Sequence, residues 1–263
     1  MRQIRAARKL IRRKQRQYET QNLQFAEMRE DADLKEYLDR TTFINKDGEV
    51  CEFTDLQKHD LNLVLQKRYA LLNWQQGSGK TAAVYHRAKY LLKFRKAKNV
   101  IILAPAIATN MTWIPFLTVN KERFRTIQTA GDLDNVPEGT FLVVSTSMLR
   151  KLKRGLMRFV KRTSGKLCLV FDESDEITNP TSQRTRNILC IFRRLKYKIL
   201  DTGTTTRNNI AELYSQFELL YNNSVNMICW SPQVYHENRD HEIEEENNPD
   251  YGTPFPAFRG HVL

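Results

Sequence analysis

The sequence predicts an α/β fold in which helices cover both faces of a doubly wound parallel sheet. Six apolar, strand-like runs alternate with helix-like runs, and this is the pattern of parallel strands joined by crossover helices. The runs are YALLNW (69–74), NVIILAPA (99–106), RTIQTA (125–130), FLVVSTS (141–147), KLCLVFD (166–172) and YKILDTG (197–203). Polar loops follow three of these runs, and in α/β folds such loops gather at the carboxyl edge of the sheet, where ligands bind.

Length and composition limit the alternatives. The chain has 263 residues, of which 41% are hydrophobic, so it can bury one good core, and no apolar stretch approaches a membrane span. We expect a soluble protein with three parts: a basic helical arm over 1–50, the sheet-forming lobe over 51–225 and an irregular acidic segment over 226–263. The four cysteines form no C-x-x-C pair, so neither a zinc ribbon nor a disulfide framework is predicted. A reducing compartment fits best: the cytoplasm of a bacterial or viral host, or a eukaryotic nucleus.

The loop QQGSGKT (75–81) lies between a strand-like and a helix-like run and has the composition of a phosphate cradle. Gly77 and Gly79 let the backbone turn so that successive N–H groups can point at a phosphate. Lys80 adds a positive charge there, and the Thr81 hydroxyl suits Mg²⁺. The helix that follows would direct its positive N-terminal end at the phosphates. Together with Gln76 and Ser78, these residues are the predicted ATP-binding loop.

A second strand-like run, LCLVFDE (167–173), ends in two adjacent acids. Acids at the end of a buried strand are unfavourable unless they meet a cation. We therefore predict that Asp172 holds the Mg²⁺ and that Glu173 polarises the water that attacks the γ-phosphate. Glu173 and Lys80 are the predicted catalytic pair.

The net charge of +12 is concentrated in two basic stretches. The first 16 residues hold eight Arg and Lys beside an apolar helical stripe, and a solvated arm, a targeting address and a nucleic-acid contact all remain open for them. The second stretch, 150–166, contains no acid, and we favour a contact with nucleic-acid phosphates. Its candidate contact residues are Arg150, Lys151, Lys153 and Arg154.

These motifs, taken in order, resemble those of the Swi/Snf-type ATPases of helicase superfamily two. The phosphate loop resembles motif I (Walker A), and DESD (172–175) resembles the DEAD or DEAH box. Further along, ITNPTSQRTRNILCIF (177–192) is similar to the family's K-N-P segment, and TGTTTRNNIAELYSQFELL (202–220) to its T-G-T-P element. The resemblance covers roughly 53–220 and implies the first of two RecA-like lobes, a P-loop NTPase fold.

The resemblance also implies roles for further residues. It implies that ATP and Mg²⁺ are the cofactors and that the partner is nucleic acid, most often double-stranded DNA, with no membrane partner. Gln57 stands where the family reads the adenine edge, although an ordinary exposed glutamine is as good an interpretation. Residues that would couple the site to the second lobe are Thr202, Gly203, Thr204 and Asn208. Motifs Ia and Ib would bring Pro105, Thr109 and Thr146 to a nucleic-acid strand.

Four residues depart from the family's pattern near the site. Trp74 replaces the first glycine of the phosphate-loop pattern, Asp175 replaces the histidine of DEAH, Thr205 replaces a proline, and Asp201 stands where a leucine is usual. None of them removes a predicted magnesium ligand or the predicted base. A viral or mobile-element origin would account for such divergence.

The family hydrolyses ATP between two lobes, and the second lobe contributes arginine fingers. Only about 40 residues follow Leu220, so we expect an amino-terminal fragment that alone binds ATP·Mg²⁺ weakly and turns it over slowly. Two alternatives stay open: a packaging ATPase of the phage terminase type, and a hydrolysis-poor module that binds DNA in a nucleotide-dependent way.

Overall fold

The computed structural model describes residues 29–45, 47–163, 166–204 and 213–221. Residues 30–220 form one compact unit, which starts N-terminal to the lobe boundary predicted at residue 51. Most of the predicted basic arm and the predicted acidic segment over 226–263 lie outside the described residues. No helix among the described residues is long and apolar enough to cross a bilayer.

Two helices and a hairpin precede the main sheet. Helix α1 (Ala32–Asp39) begins at Asp31, whose carboxylate accepts a hydrogen bond from the Leu34 N–H. Strands β1 (Thr42–Ile44) and β2 (Val50–Glu52) pair antiparallel. Helix α2 (Asp55–Gln66) begins with a capping box, which satisfies N–H groups at its first turn. The hairpin was not predicted, because three-residue strands leave too short a period to read from sequence.

The main sheet has six strands, and every one overlaps a predicted run. They are β3 (Tyr69–Leu72), β4 (Asn99–Ala104), β5 (Phe124–Thr126), β6 (Phe141–Ser145), β7 (Leu167–Phe171) and β8 (Tyr197–Asp201). All pairs are parallel, in the order β3-β8-β7-β4-β6-β5. Strand β8 therefore lies between the strand that leads into the phosphate loop and the strand that ends in the acids. The predicted α/β fold is confirmed.

Helices connect the strands. They are α3 (Lys80–Lys93), the short α4 (Ala106–Ala108), α5 (Ile114–Val119), α6 (Leu149–Arg162), α7 (Gln183–Phe192) and α8 (Tyr214–Tyr221). A π-helical segment, Thr109–Trp113, joins α4 to α5, and 3₁₀ turns span Gly131–Leu133, Thr146–Met148 and Ser174–Ile177.

The core lies on both faces of the sheet, because every residue of β4, β7 and β8 is buried. Alternate strand residues, such as Ile102 and Val170, pack in one cluster with Ala83, Ala88 and other residues of α3. The residues between them, such as Ile101 and Leu169, are equally buried. Such complete burial fixes the strand register and therefore fixes which side chains emerge together at the carboxyl edge.

Helix α6 sits close to the 3₁₀ turn over Gly131–Leu133. A Cβ atom at Gly155 would lie 3.0 Å from the Ala130 Cβ, so glycine is needed for this approach. The buried side chains of α6 are Leu149, Leu152, Leu156 and Phe159, which recur at helical spacing. Its basic residues consequently point away from the core.

Candidate active site

The phosphate loop follows the carboxyl end of β3. Gly77 and Gly79 have φ angles of 81° and 83°, in the left-handed region that favours glycine. Gly79 is also the N-cap of α3, and its helix start has no side-chain cap. The N–H groups of this first turn are therefore suited to an anion. The Lys80 ammonium donates to the backbone carbonyls of Trp74 at 3.1 Å and Gln75 at 3.2 Å.

Two side chains from α2 brace this loop. The Trp74 indole N–H donates to the Asp60 carboxylate at 2.8 Å, so the residue that replaces the first glycine anchors the start of the loop. The Gln57 amide donates to the Ser78 carbonyl at 2.8 Å, while its oxygen accepts from the Thr54 N–H at 2.9 Å. The T-x-x-Q spacing of 54–57 is the sequence pattern of a capping box, and it is the signal for the bond between the Thr54 N–H and the Gln57 oxygen. Gln57 thus lies against the phosphate loop, and adenine reading by Gln57 stays a prediction.

Asp172 is oriented by a buried tryptophan. The Trp113 indole N–H donates to Asp172 Oδ2 at 2.7 Å, and the exposed fractions of the two residues are 0% and 8%. Trp113 ends the π-helical segment that follows β4, so motif Ia directly contacts the predicted magnesium ligand. This bond was not predicted, because nothing in linear spacing shows a contact across 59 positions.

Glu173 is held in a strained backbone conformation. Its φ is 52° and its ψ 53°, which is uncommon for a residue with a side chain and is typical of functional sites. The side chain itself is exposed. Partial burial, followed by the charges of Asp172 and Asp175, raises the pKa of Glu173, while Lys80 opposes this rise. A raised pKa favours the role of a proton acceptor near neutral pH.

The loop after β8 connects the two halves of the site. Thr202 and Thr204 donate to the two carboxylate oxygens of Asp175 at 3.3 and 3.4 Å. A Cβ atom built at Gly203 would lie 3.6 Å from the Lys80 ammonium nitrogen. The structure therefore brings the phosphate loop, the DESD acids and the TGT element to one place. Asn208, the fourth predicted coupling residue, lies outside the described residues, as does Thr205.

Asp201, the last residue of β8, is a further acid in this site. It is 1% exposed, and its carboxyl group lies within hydrogen-bonding reach of the carboxyl group of Asp172. Burial first, and then the charge of Asp172, raises the pKa of Asp201 well above its ordinary value, although Lys80 opposes the rise. Sequence reasoning noted this residue as a departure but gave it no role.

The oxygens at this edge fit a hydrated Mg²⁺. The hydroxyl of Thr81 and the carboxylate of Asp172 are hard oxygen donors, the ligand type that Mg²⁺ prefers. Among the described residues, no group of three or more acids, histidines or cysteines is arranged to hold a metal by itself. A magnesium ion here would therefore depend on water and on phosphate oxygens, as Mg²⁺ sites in nucleotide-binding proteins commonly do.

The predicted nucleic-acid residues fall into two groups. Arg150, Lys151 and Arg154 are exposed on α6 and Lys153 is half-buried, and none of the four forms an ion pair with a described acid. In motifs Ia and Ib, Pro105 is half-buried, whereas the side chains of Thr109 and Thr146 are only 3% and 5% exposed. Direct phosphate contact by either threonine would need movement of the surrounding chain, so these roles stay predictions.

A parallel sheet of this strand order, with a phosphate loop, a strand ending in Asp-Glu and a linked TGT loop, defines a helicase-type P-loop ATPase lobe with the RecA-like fold. The chain belongs to the ResIII family, described as Type III restriction enzyme, res subunit, whose model matches residues 3–207.

Further comparisons agree with this family. The chain is 26% identical over 175 residues to the ATP-dependent helicase FUN30 of Saccharomyces cerevisiae, and the match covers 62% of this chain and 15% of that protein. Two solved structures of the Sulfolobus solfataricus SWI2/SNF2 ATPase core share the fold at 16% identity. The core in complex with dsDNA has a TM-score of 0.56, covering 75% of this chain and 41% of that one. The core domain alone has a TM-score of 0.57, with 81% and 42% covered.

The predicted Swi/Snf-type lobe of helicase superfamily two is thereby confirmed, and a viral origin stays a prediction. The chain spans a small part of the curated relative and about two fifths of each solved core.

Proposed function

We propose that this chain binds ATP with Mg²⁺ and hydrolyses it, and that hydrolysis drives movement along, or remodelling of, double-stranded DNA. The observation that carries the proposal is the meeting of three distant segments at one edge of the sheet. Gly203 lies beside the Lys80 ammonium, and Asp175 accepts hydrogen bonds from Thr202 and Thr204. This edge of the sheet therefore carries the residue types that bind phosphate and Mg²⁺.

The roles of the binding residues follow from their places. Backbone N–H groups of the loop from Gln76 to Gly79, with the start of α3, would surround the β-phosphate. Lys80 would reach the β- and γ-phosphates, and its two carbonyl partners are weak competitors for the ammonium compared with phosphate. Thr81 and Asp172 would hold Mg²⁺, which, when bound, neutralises charge on the phosphate oxygens.

Glu173 is the proposed general base. Its exposed carboxylate follows the strand that bears Asp172, and its raised pKa suits proton acceptance from water. The left-handed backbone at this position turns the side chain out of the strand line, and the hydrogen bonds of Asp175 hold the next turn in place. Hydrolysis would then change contacts that reach β8 through Thr202 and Thr204.

A second RecA-like lobe, in cis or in trans, is proposed to complete the site. Both solved cores that share this fold are longer than the chain, which covers 41% and 42% of them. An arginine from such a lobe typically accelerates phosphoryl transfer by about 10³–10⁵-fold. Without it, we expect slow turnover.

Duplex DNA is the proposed partner, because one solved neighbour is an ATPase core in complex with dsDNA and because Arg150, Lys151 and Arg154 are exposed on α6 and pair with no acid among the described residues. We rank movement along duplex above strand separation, as the resemblance to Swi/Snf-type motors implies. The compartment stays as predicted: cytoplasmic in a bacterial or viral host, or nuclear in a eukaryote.

The test compares wild type with Glu173→Gln under single-turnover conditions with ATP, Mg²⁺ and duplex DNA. We expect phosphate release to fall by about 10²–10⁴-fold, with ATP affinity changed by less than about threefold. Glu138→Gln is the matched control, since Glu138 pairs with Lys98 outside the site and its loss should leave hydrolysis unchanged.

Three outcomes would contradict parts of the proposal. If Glu173→Gln hydrolyses ATP as fast as wild type, the base assignment is wrong. If wild type binds ATP and DNA but releases no phosphate, the nucleotide-dependent binding module is the better function. If the isolated chain shows strong DNA-stimulated turnover, no second lobe is required.

A further inference from the structure

The turn that follows Glu173 is tied to helix α8 by a buried hydrogen bond. The Ser174 hydroxyl donates to Gln216 Oε1 at 3.0 Å, across 42 positions of the chain. Both residues are 0% exposed. Burying a hydroxyl and an amide is unfavourable unless they are paired, whereas an apolar pair would carry no such requirement. The hydrogen bond therefore specifies one particular contact between α8 and the turn.

Ser174 is one of two anchored neighbours of the proposed base. On the other side of Glu173 in the chain, Asp172 accepts the hydrogen bond of the Trp113 indole at 2.7 Å. Glu173, between them, has a left-handed backbone with a φ of 52° and a ψ of 53°. Such a conformation is unfavourable for a residue with a side chain, and it persists only where the surrounding structure holds it. The two flanking side-chain bonds supply such a hold.

Helix α8 is itself firmly attached to the lobe close to Gln216. The ammonium of Lys198, a buried residue of β8, donates to the Leu219 carbonyl at 2.5 Å and to the Arg193 carbonyl at 2.6 Å. The Arg193 guanidinium, at the end of α7, pairs with the buried Glu218 carboxylate at 3.4 Å. Because these bonds join α8 to β8 and α7, the helix is a fixed support for the Ser174 hydroxyl.

We infer that Gln216 is a positioning residue for hydrolysis, which acts through Ser174 to hold the Glu173 carboxylate toward the attacking water. The inference rests on the proposed function, since it requires Glu173 as the base. Gln216 is fully buried, whereas the Glu173 side chain is exposed, so Gln216 acts through the backbone of the turn and not on the nucleotide. Loss of the bond should therefore slow the chemical step and leave nucleotide binding in place.

Two single variants remove the bond from opposite sides. Ser174→Ala removes the donor, and Gln216→Leu removes the acceptor while keeping a side chain of similar size. Each should lower the single-turnover rate of phosphate release at saturating ATP by about 10- to 100-fold, as a small misplacement of a catalytic group commonly does. ATP affinity should change by less than about threefold. The double variant should be slower than either single variant by less than about threefold, because all three lose the same bond.

The experiment combines three measurements on each variant: single-turnover phosphate release with ATP, Mg²⁺ and duplex DNA, equilibrium ATP binding, and hydrogen exchange without nucleotide. Exchange of the backbone amides over 173–177 should be faster in both single variants. Thr140→Val is the matched control, because it removes the hydroxyl of a buried residue that donates to the Pro137 carbonyl at 2.8 Å, just before β6. It should lower the melting temperature about as much as Ser174→Ala, without changing hydrolysis or exchange over 173–177.

The outcomes are distinct. If both single variants release phosphate as fast as wild type, the inference is overturned and the proposed function stays intact. If ATP affinity falls as much as the rate does, Gln216 and Ser174 shape the binding site and the positioning role is wrong. If Thr140→Val slows hydrolysis equally, general loss of stability explains the effect and the inference fails. If wild type releases no phosphate, the proposed function itself fails, and the inference fails with it.

Discussion

The contact between Trp113 and Asp172 allows a quantitative prediction. Trp113→Phe removes the 2.7 Å hydrogen bond to Asp172 Oδ2 while keeping a large aromatic ring in the core. A hydrogen bond to a charged group contributes about 1.5–3 kcal/mol, and about 1.4 kcal/mol corresponds to a tenfold change in affinity. If the bond serves to orient Asp172 for the metal, Mg²⁺-dependent nucleotide affinity should fall by about 10- to 100-fold.

The assay is equilibrium binding of a fluorescent ADP analogue, titrated with Mg²⁺ at saturating and subsaturating nucleotide. Trp74→Phe is the matched control, because it removes an indole-to-carboxylate bond of nearly the same length, 2.8 Å, to Asp60 instead. Trp74 braces the phosphate loop, so its loss should weaken binding equally with and without Mg²⁺. Circular dichroism melts would confirm that both variants fold.

One result would refute the reasoning. If Trp113→Phe binds nucleotide with wild-type dependence on Mg²⁺, within about twofold, then Asp172 does not need its indole partner. Trp113 would then be a core residue whose hydrogen bond merely satisfies a buried N–H group.

Two further predictions concern the surface and the core. Replacing Arg150, Lys151 and Arg154 together with Gln should weaken duplex DNA binding and lower the slope of log affinity against log salt by up to about 3. The control replaces three exposed cations at the far end of α3 with Gln, and it should change neither the affinity nor the slope. These cations are Lys93, Arg95 and Lys96. An equal effect of both sets in fluorescence anisotropy would show that only net charge matters. Burial, and then the charge of Lys89, lowers the pKa of His86 to about 4, below its unfolded value of about 6.5. The contribution of neutral His86 to the free energy of unfolding is therefore complete above pH 6.5 and is lost as pH falls toward 4. In urea unfolding, His86→Phe should show a smaller change of the free energy of unfolding with pH between those values than wild type. An unchanged slope of that free energy against pH would contradict the assignment.

Much of the fold could be predicted because parallel strands buried on both faces are continuous apolar runs. The runs at Ile101 and Leu169 are examples, and each strand was found near its predicted place. The phosphate loop could also be predicted from local sequence, since the left-handed φ angles at Gly77 and Gly79 are ones that glycine adopts without strain. Such features depend on neighbours along the chain.

The contacts that join the site could not be predicted from local pattern. Trp113 and Asp172 are far apart in sequence, and the bond between them depends on the turn of a π-helical segment. Asp201 was a deviation from a family pattern, and its position beside Asp172 became evident only from the strand order. Long-range register, not residue type, carried this information.

The place of β8 has a consequence for energetics. Since this strand is hydrogen-bonded to β3 on one side and β7 on the other, the phosphate loop and the acids are fixed relative to each other by backbone bonds. The conformational entropy of arranging the two halves is lost when the lobe folds and not when a ligand arrives. The nucleotide affinity of the lobe should therefore depend almost entirely on the contacts between nucleotide and protein. Large heat-capacity changes on binding would come from elements outside the sheet.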